Sequence, residues 1–171
     1  MLYYKHNKGE QMIQIKDKVH ILPYYDVRED DFTMMKLEHS DWEVAFIGKD
    51  KIAIQKDFSS LYSRAEVLPI SWVTKDEDLL DEFLKHHYGN KKNISLRDIE
   101  IRQHKDKMYN ERMIEPEFQL GDIVFYCSNY KIGMGIVQKI TDKCLNLAAT
   151  KQKSGKANYK RVRKYLADKI N

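Results

Sequence analysis

The sequence predicts an α+β fold that is mainly antiparallel β, built from two copies of one small β module joined by a helical connector. Three observations carry this reading. In residues 118–149, Leu120-Gly121-Asp122 launches Ile123-Val124-Phe125-Tyr126, a segment with Gly133 and Gly135 leads into Ile136-Val137-Gln138-Lys139-Ile140, and Thr141-Asp142-Lys143 turns into Cys144-Leu145-Asn146-Leu147. Such β-branched and aromatic runs, punctuated by Gly and Asp, form short antiparallel strands. The N-terminal half repeats the order: Ile15-Lys16-Asp17-Lys18-Val19-His20-Ile21, then Trp42 to Ile47, a turn at Gly48-Lys49-Asp50, and Lys51 to Gln55. Between the two lies a helical pattern with its own start and stop signals.

The succession of Gly-Asp, strand, glycine-containing loop, strand, tight turn and strand resembles the opening half of a small SH3-like barrel, the design shared by Tudor and KOW modules. The resemblance implies two SH3-like barrels of roughly 55 residues each, a size at which a small all-β domain can fold. The first barrel is expected over residues 12–74, the helical connector over 75–115 and the second barrel over 117–168. In this duplication Val19 corresponds to Val124, and the Gly48 turn to the Thr141 turn.

Taken in order, residues 1–11 read as a polar lead-in. After the first strand, Pro23 to Phe32 form a long acidic and aromatic loop. Residues 57–64, DFSSLYSR, read as a turn or one helical turn, and Ala65 to Ile70 as a last strand held to an edge by Pro69. Thr74 and Glu77 make a capping box for a helix over 75–88, in which Leu79, Leu80, Phe83, Leu84 and His87 share a stripe. Gly89-Asn90 stops it. From Ser95 the pattern is mixed: Ser95 to Asp98 can cap a second helix carrying Ile99, Met108 and Met113, whereas residues 98–102 alternate like a strand. A helical or irregular connector ending before Pro116 is expected. Residues 151–156 read as a hairpin loop, and residues 159–165 as the closing element of the second copy.

Composition bounds the function. With 42% apolar and 33% charged residues of both signs, the chain has material for real cores and is not of the disordered class. No apolar run reaches the ~20 residues needed to cross a bilayer, and residues 1–12 lack a signal-peptide apolar region. A cytoplasmic protein, acting in a bacterial host cell, is the expectation. Cys127 and Cys144 make no CxxC and read as two small hydrophobes that could be neighbours on one sheet. The formal charge of +4 hides an asymmetry: residues 1–84 hold 17 acids against 11 bases, residues 85–114 hold 4 against 8, and residues 115–171 hold 5 against 11. Such a dipolar chain can meet two kinds of partner, or a second copy head to tail as a homodimer.

No dinucleotide, P-loop, metalloprotease or nucleophile-elbow motif occurs, so no enzyme and no cofactor are expected. His86 and His87 point to different faces of a helix and lack a third ligand, which makes a surface pair the better reading than a metal site. Two binding surfaces remain. Tyr24, Tyr25, Asp26, Glu29, Asp30 and Asp31 put carboxylates beside tyrosines, a chemistry suited to a partner protein with a basic groove. Lys151, Lys153, Lys156, Lys160, Arg161, Arg163 and Lys164, interleaved with Tyr159 and Tyr165, suit a nucleic-acid backbone and stacked bases.

Rich in Lys, Tyr and Ile and poor in Gly and Pro, the chain resembles the small early proteins that phages of low-GC Gram-positive bacteria make to disable host machinery, among them the sliding-clamp inhibitors of staphylococcal phages. The resemblance covers general texture and no motif, so it assigns no functional residue. It implies an inhibitor that binds a host replication protein, the DNA polymerase sliding clamp, and blocks its DNA channel with the acidic and aromatic surface. The alternative is a nucleic-acid-binding protein acting through the basic second barrel and tail.

Overall fold

A computed structural model describes residues 12–23, 32–59, 61–88, 95–149 and 159–170. Two five-stranded antiparallel sheets of barrel type dominate. The first contains β1 (Lys18–Ile21), β2 (Trp42–Ile47), β3 (Lys51–Ser59), β4 (Tyr62–Pro69) and β5 (Val73–Thr74), in the order β4-β3-β2-β1-β5. The second contains β6 (Ile123–Ser128), β7 (Lys131–Ile140), β8 (Cys144–Ala149), β9 (Tyr159–Arg163) and β10 (Ala167–Lys169). Its order, β10-β6-β7-β8-β9, is the same sequence of positions read from the other edge. A single 3-10 turn precedes the last strand in each, Ile70–Trp72 and Lys164–Leu166.

The correspondence extends to individual hydrogen bonds. In the first barrel Lys16 N donates to Val44 O at 2.7 Å and Val44 N to Asp17 O at 2.9 Å, while the Asp17 carboxylate accepts from Gln14 N at 2.8 Å. In the second, Gly121 N donates to Val137 O at 2.8 Å and Val137 N to Asp122 O at 2.9 Å, and the Asp122 carboxylate accepts from Gln119 N at 2.8 Å. Both turns need a residue in the left-handed region, Lys16 at φ 73° and Gly121 at φ 90°; only the glycine adopts it without crowding Cβ. The β2–β3 and β7–β8 ladders are each interrupted by a bulge at the same place, after Val44 and after Val137. These registers pair Val19 with Val124, Trp42 with Gly135, Phe46 with Lys139, Ala53 with Asn146, Glu66 with Lys160, Val67 with Arg161, Trp72 with Leu166 and Thr74 with Asp168.

The copies differ between their first two strands. β6 and β7 are joined by Asn129-Tyr130, at φ 51° and 60°, the two-residue turn that matches strand twist. In the first copy that place is taken by residues 22–41, which carry α1 (Phe32–His39). This helix lies where the sequence predicts the end of a long loop and no helix. Two further readings are corrected. Residues 57–64 are no helical turn but the tip of the β3–β4 hairpin, whose ladder runs from Lys51↔Pro69 to Ser59↔Tyr62. Thr74 does not cap the first connector helix: α2 (Glu77–Tyr88) begins after Asp76, whose Oδ1 accepts from Asp78 N at 3.0 Å and Leu79 N at 3.4 Å, while Thr74 Oγ1 accepts from Asp76 N.

The mixed segment after Ser95 is α3 (Leu96–Arg112), opened by a capping box between Ser95 and Asp98. Ile101, His104, Lys105 and Met108 form its buried face. Leu79 and Phe83 of α2 join Ile101 and Met108 in one core with Val19, Trp42, Val44, Ile52, Ile54, Leu68 and Trp72 of the first barrel. Met35 of α1 packs with Leu80 and Leu84 on another face of α2. Polar pins fix the far end of α3: Trp72 Nε1 donates to Met108 O at 3.0 Å, and the buried Lys51 Nζ donates to Arg112 O at 2.8 Å.

The two barrels touch directly. Phe46, Ala53, Ala65 and Val67, on the outer face of the first, pack against Phe125, Cys127, Ile132 and Ile170 of the second, with the rings of Phe46 and Phe125 stacked at 5.6 Å. Asp168, fully buried, reaches across to the β2–β3 turn and accepts from Asp50 N at 2.8 Å and Lys51 N at 2.9 Å. Its carboxyl group occupies the space where a Cβ on Gly48 would stand, so that turn must be a glycine. Cys127 and Cys144 are both free and buried; they share a sheet but are separated by β7, and Cys127 Sγ donates to Ala65 O in the seam.

Candidate nucleic-acid interface

Tyr24, Tyr25, Asp26, Glu29, Asp30 and Asp31 lie outside the described residues, as do Lys151, Lys153 and Lys156. The remaining basic candidates, Lys160, Arg161, Arg163 and Lys164, fall on β9 and the 3-10 turn after it. Strand alternation separates them. Val162 enters the core of the second barrel, and Lys160 lies on that same side at the barrel mouth, its ammonium 5.3 Å from the centre of the Tyr126 ring. Tyr126 lies across Gly133, where any side chain would collide with its hydroxyl, and burial raises its phenol above the ordinary value. Lys164 turns the other way, donating from Nζ to Asp142 O at 3.0 Å beside a groove bordered by Glu115, Glu117 and Lys169.

Arg161 and Arg163 remain together on the outer face. Opposite Arg161 stands Asn146 of β8, and opposite Asn146 stands Lys139 of β7, so that Lys139, Asn146 and Arg161 form one row across three strands. Adjacent strands are about 4.8 Å apart, which makes the row roughly 10 Å wide. Lys139, Arg161 and Arg163 are exposed, and none of the ion pairs among the described residues involves them. The Arg163 guanidinium lies 6.0 Å from the Tyr165 ring, giving a planar cation beside an aromatic surface.

The corresponding row in the first barrel is Phe46, Ala53 and Val67, the apolar patch buried in the seam. One position in the repeated module therefore serves two purposes. In the first barrel it is apolar and covered by the second; in the second it is basic and open. The row was not identified from the sequence because Lys139, Asn146 and Arg161 are distant along the chain; an alignment of the two copies would have found it, since Lys139 falls opposite Phe46 and Arg161 opposite Val67.

The geometry defines a two-barrel α+β protein with a cationic sheet face. No protein-family model matches the chain, and no curated protein matches it. Among the described residues no helix is long and apolar enough to cross a membrane.

Proposed function

We propose that the protein binds a nucleic-acid backbone through the outer face of β7, β8 and β9. The observation that supports this reading most is the Lys139–Asn146–Arg161 row, its two cations exposed and Arg163 exposed beside them, at the place where the sister barrel carries an apolar contact. Unpaired cations on a rigid sheet meet phosphates without first breaking an internal salt bridge, and release condensed counterions as they do so. Asn146 adds an amide able to donate to phosphate or sugar oxygens. The Arg163–Tyr165 pair offers a surface on which an unpaired base can stack. The described part of this face is sheet, with side chains suited to phosphate and sugar, so binding is expected to be of low sequence specificity. Fluorescence anisotropy with duplex and single-stranded oligonucleotides tests it. The triple substitution K139A/R161A/R163A is expected to weaken binding by about tenfold or more, whereas Lys164→Ala, on the other side, changes it little; equal weakening by both would contradict the assignment.

A second reading keeps the sliding clamp as partner, favoured by the excess of six negative charges in residues 1–84. Reversing Glu29, Asp30 and Asp31 to Lys is then expected to abolish binding to a purified clamp in isothermal titration, because removing a carboxylate from a desolvated basic partner costs about 2 kcal/mol or more. A clamp that ignores the wild-type protein, or binds the variant equally well, removes this reading.

A further inference from the structure

The mouth of the first barrel is a cleft of about 250 Å³ between β4, α1 and the end of α3. Both tryptophans of the chain, Trp42 and Trp72, lie in its wall, and each indole N–H is already committed, to Glu38 O and Met108 O respectively. The second bond places the last turn of α3 over the cleft, with the Arg112 guanidinium 5.5 Å from the Trp72 ring. Arg64 enters from β4. Its Nη2 donates to Glu66 Oε1 at 3.2 Å, but its Nε is buried without a hydrogen-bond partner. None of the ion pairs among the described residues involves Arg112.

Two guanidinium groups thus line one small cleft with most of their donors unused. A buried N–H without an acceptor is costly, and the oxygens of a tetrahedral or carboxylate anion match the fork of an arginine. Behind Arg112, Lys51 is bonded to its carbonyl; burial first, and then the Arg112 charge, bring that ammonium down to about 8 against the opposing pull of Asp168, Asp50 and Glu111. Glu38 and Glu66 also border the cleft and offset the two guanidinium charges, so the attraction for an anion comes from the open hydrogen-bond donors and suits one anionic group, not a run of them. In the second barrel Gly135 and Leu166 stand where Trp42 and Trp72 do, and Lys160 where Glu66 does, so the described residues do not repeat this lining.

We propose that the cleft binds a single oxyanion of the phosphate class, free or as the terminal group of a nucleotide, held between Arg64 and Arg112. This site is separate from the basic sheet face, and neither reading depends on the other. Because both tryptophans line it, intrinsic fluorescence reports its occupancy. Inorganic phosphate titrated at constant ionic strength is expected to give a saturable emission change and to raise the thermal midpoint. Arg64→Lys and Arg112→Lys keep the charge but lose the fork, and each is expected to weaken binding about tenfold with the midpoint of the unliganded protein near wild type, while K139A/R161A/R163A binds phosphate normally. A nucleoside 5′-monophosphate that binds more tightly than phosphate assigns the anion to a nucleotide; equal affinity assigns it to free phosphate. The proposal is overturned if sodium chloride of equal ionic strength reproduces the fluorescence change, or if both lysine variants bind phosphate as wild type does.

Discussion

At the scale of single residues, Asp168 and His104 show how a few buried polar groups set stability. Asp168 closes the seam between the barrels by accepting two backbone N–H groups of the β2–β3 turn. Asp168→Ala leaves both donors unmatched, that of Lys51 buried and that of Asp50 partly so, which is expected to cost about 2–4 kcal/mol, read as a lower urea midpoint. Asp168→Asn keeps one acceptor and should fall between. An alanine variant as stable as wild type would show that the seam does not need this carboxylate. His104 lies against Phe83, the two rings meeting edge to face at 5.6 Å; burial, and then the Lys107 charge, hold its imidazole down at about 4 against an ordinary 6.5. The native state therefore resists a proton that the unfolded chain accepts. Stability should decline as pH falls from about 6.5 towards 4, by on the order of 3 kcal/mol at most. His104→Leu should remove that part of the pH dependence, as measured by urea midpoints at the two ends of the range. A slope unchanged by the substitution would place the acid sensitivity elsewhere.

Among the elements, α2 joins two packed groups of side chains. Leu79, Leu80, Phe83 and Leu84 are all at most 2% exposed, and they serve two sides, one towards the barrel core and one towards Met35 of α1. Leu84→Ala is expected to destabilise the protein by about 2–5 kcal/mol, and an unchanged thermal midpoint would count against this packing. The same stripe is why α2 was readable from the sequence: four large apolar residues at helical spacing leave little alternative. α1 was hidden because its signal is weak. Met34 and Leu37 are exposed while Met35 between them is buried, so residues 33–39 show no apolar stripe. The β3–β4 tip was misread because Ser59, Leu61 and Tyr62 are exposed, and a hairpin that extends beyond its core loses the alternation by which strands are recognised. In α3 the alternation of residues 98–102 competes with the helical pattern, and the Ser95–Asp98 capping box decides between them.

For the whole molecule, the duplication was readable because a Gly-Asp or Lys-Asp turn, a bulged strand and a tight turn recur in the same order, and each is local. The use of each face was not, because it depends on which side of one barrel meets the other. That seam covers Phe46, Ala53 and Val67 of the first copy and leaves Lys139 and Arg161 of the second exposed, with Asn146 half-buried between them. Acids are concentrated before residue 85 and bases after it, but α3, within the basic part, packs on the first barrel, so it is the cationic face of the second barrel that a polyanion can approach. The measurement that bears most directly on this account is the dependence of duplex-DNA affinity on salt for the wild type and for K139A/R161A/R163A. If the three side chains each neutralise a phosphate, the slope of log affinity against log salt should flatten by about 0.9 for every phosphate left without its cation, roughly 2.7 for the triple variant. An unchanged slope, or a wild-type protein with no measurable affinity at low salt, would contradict it.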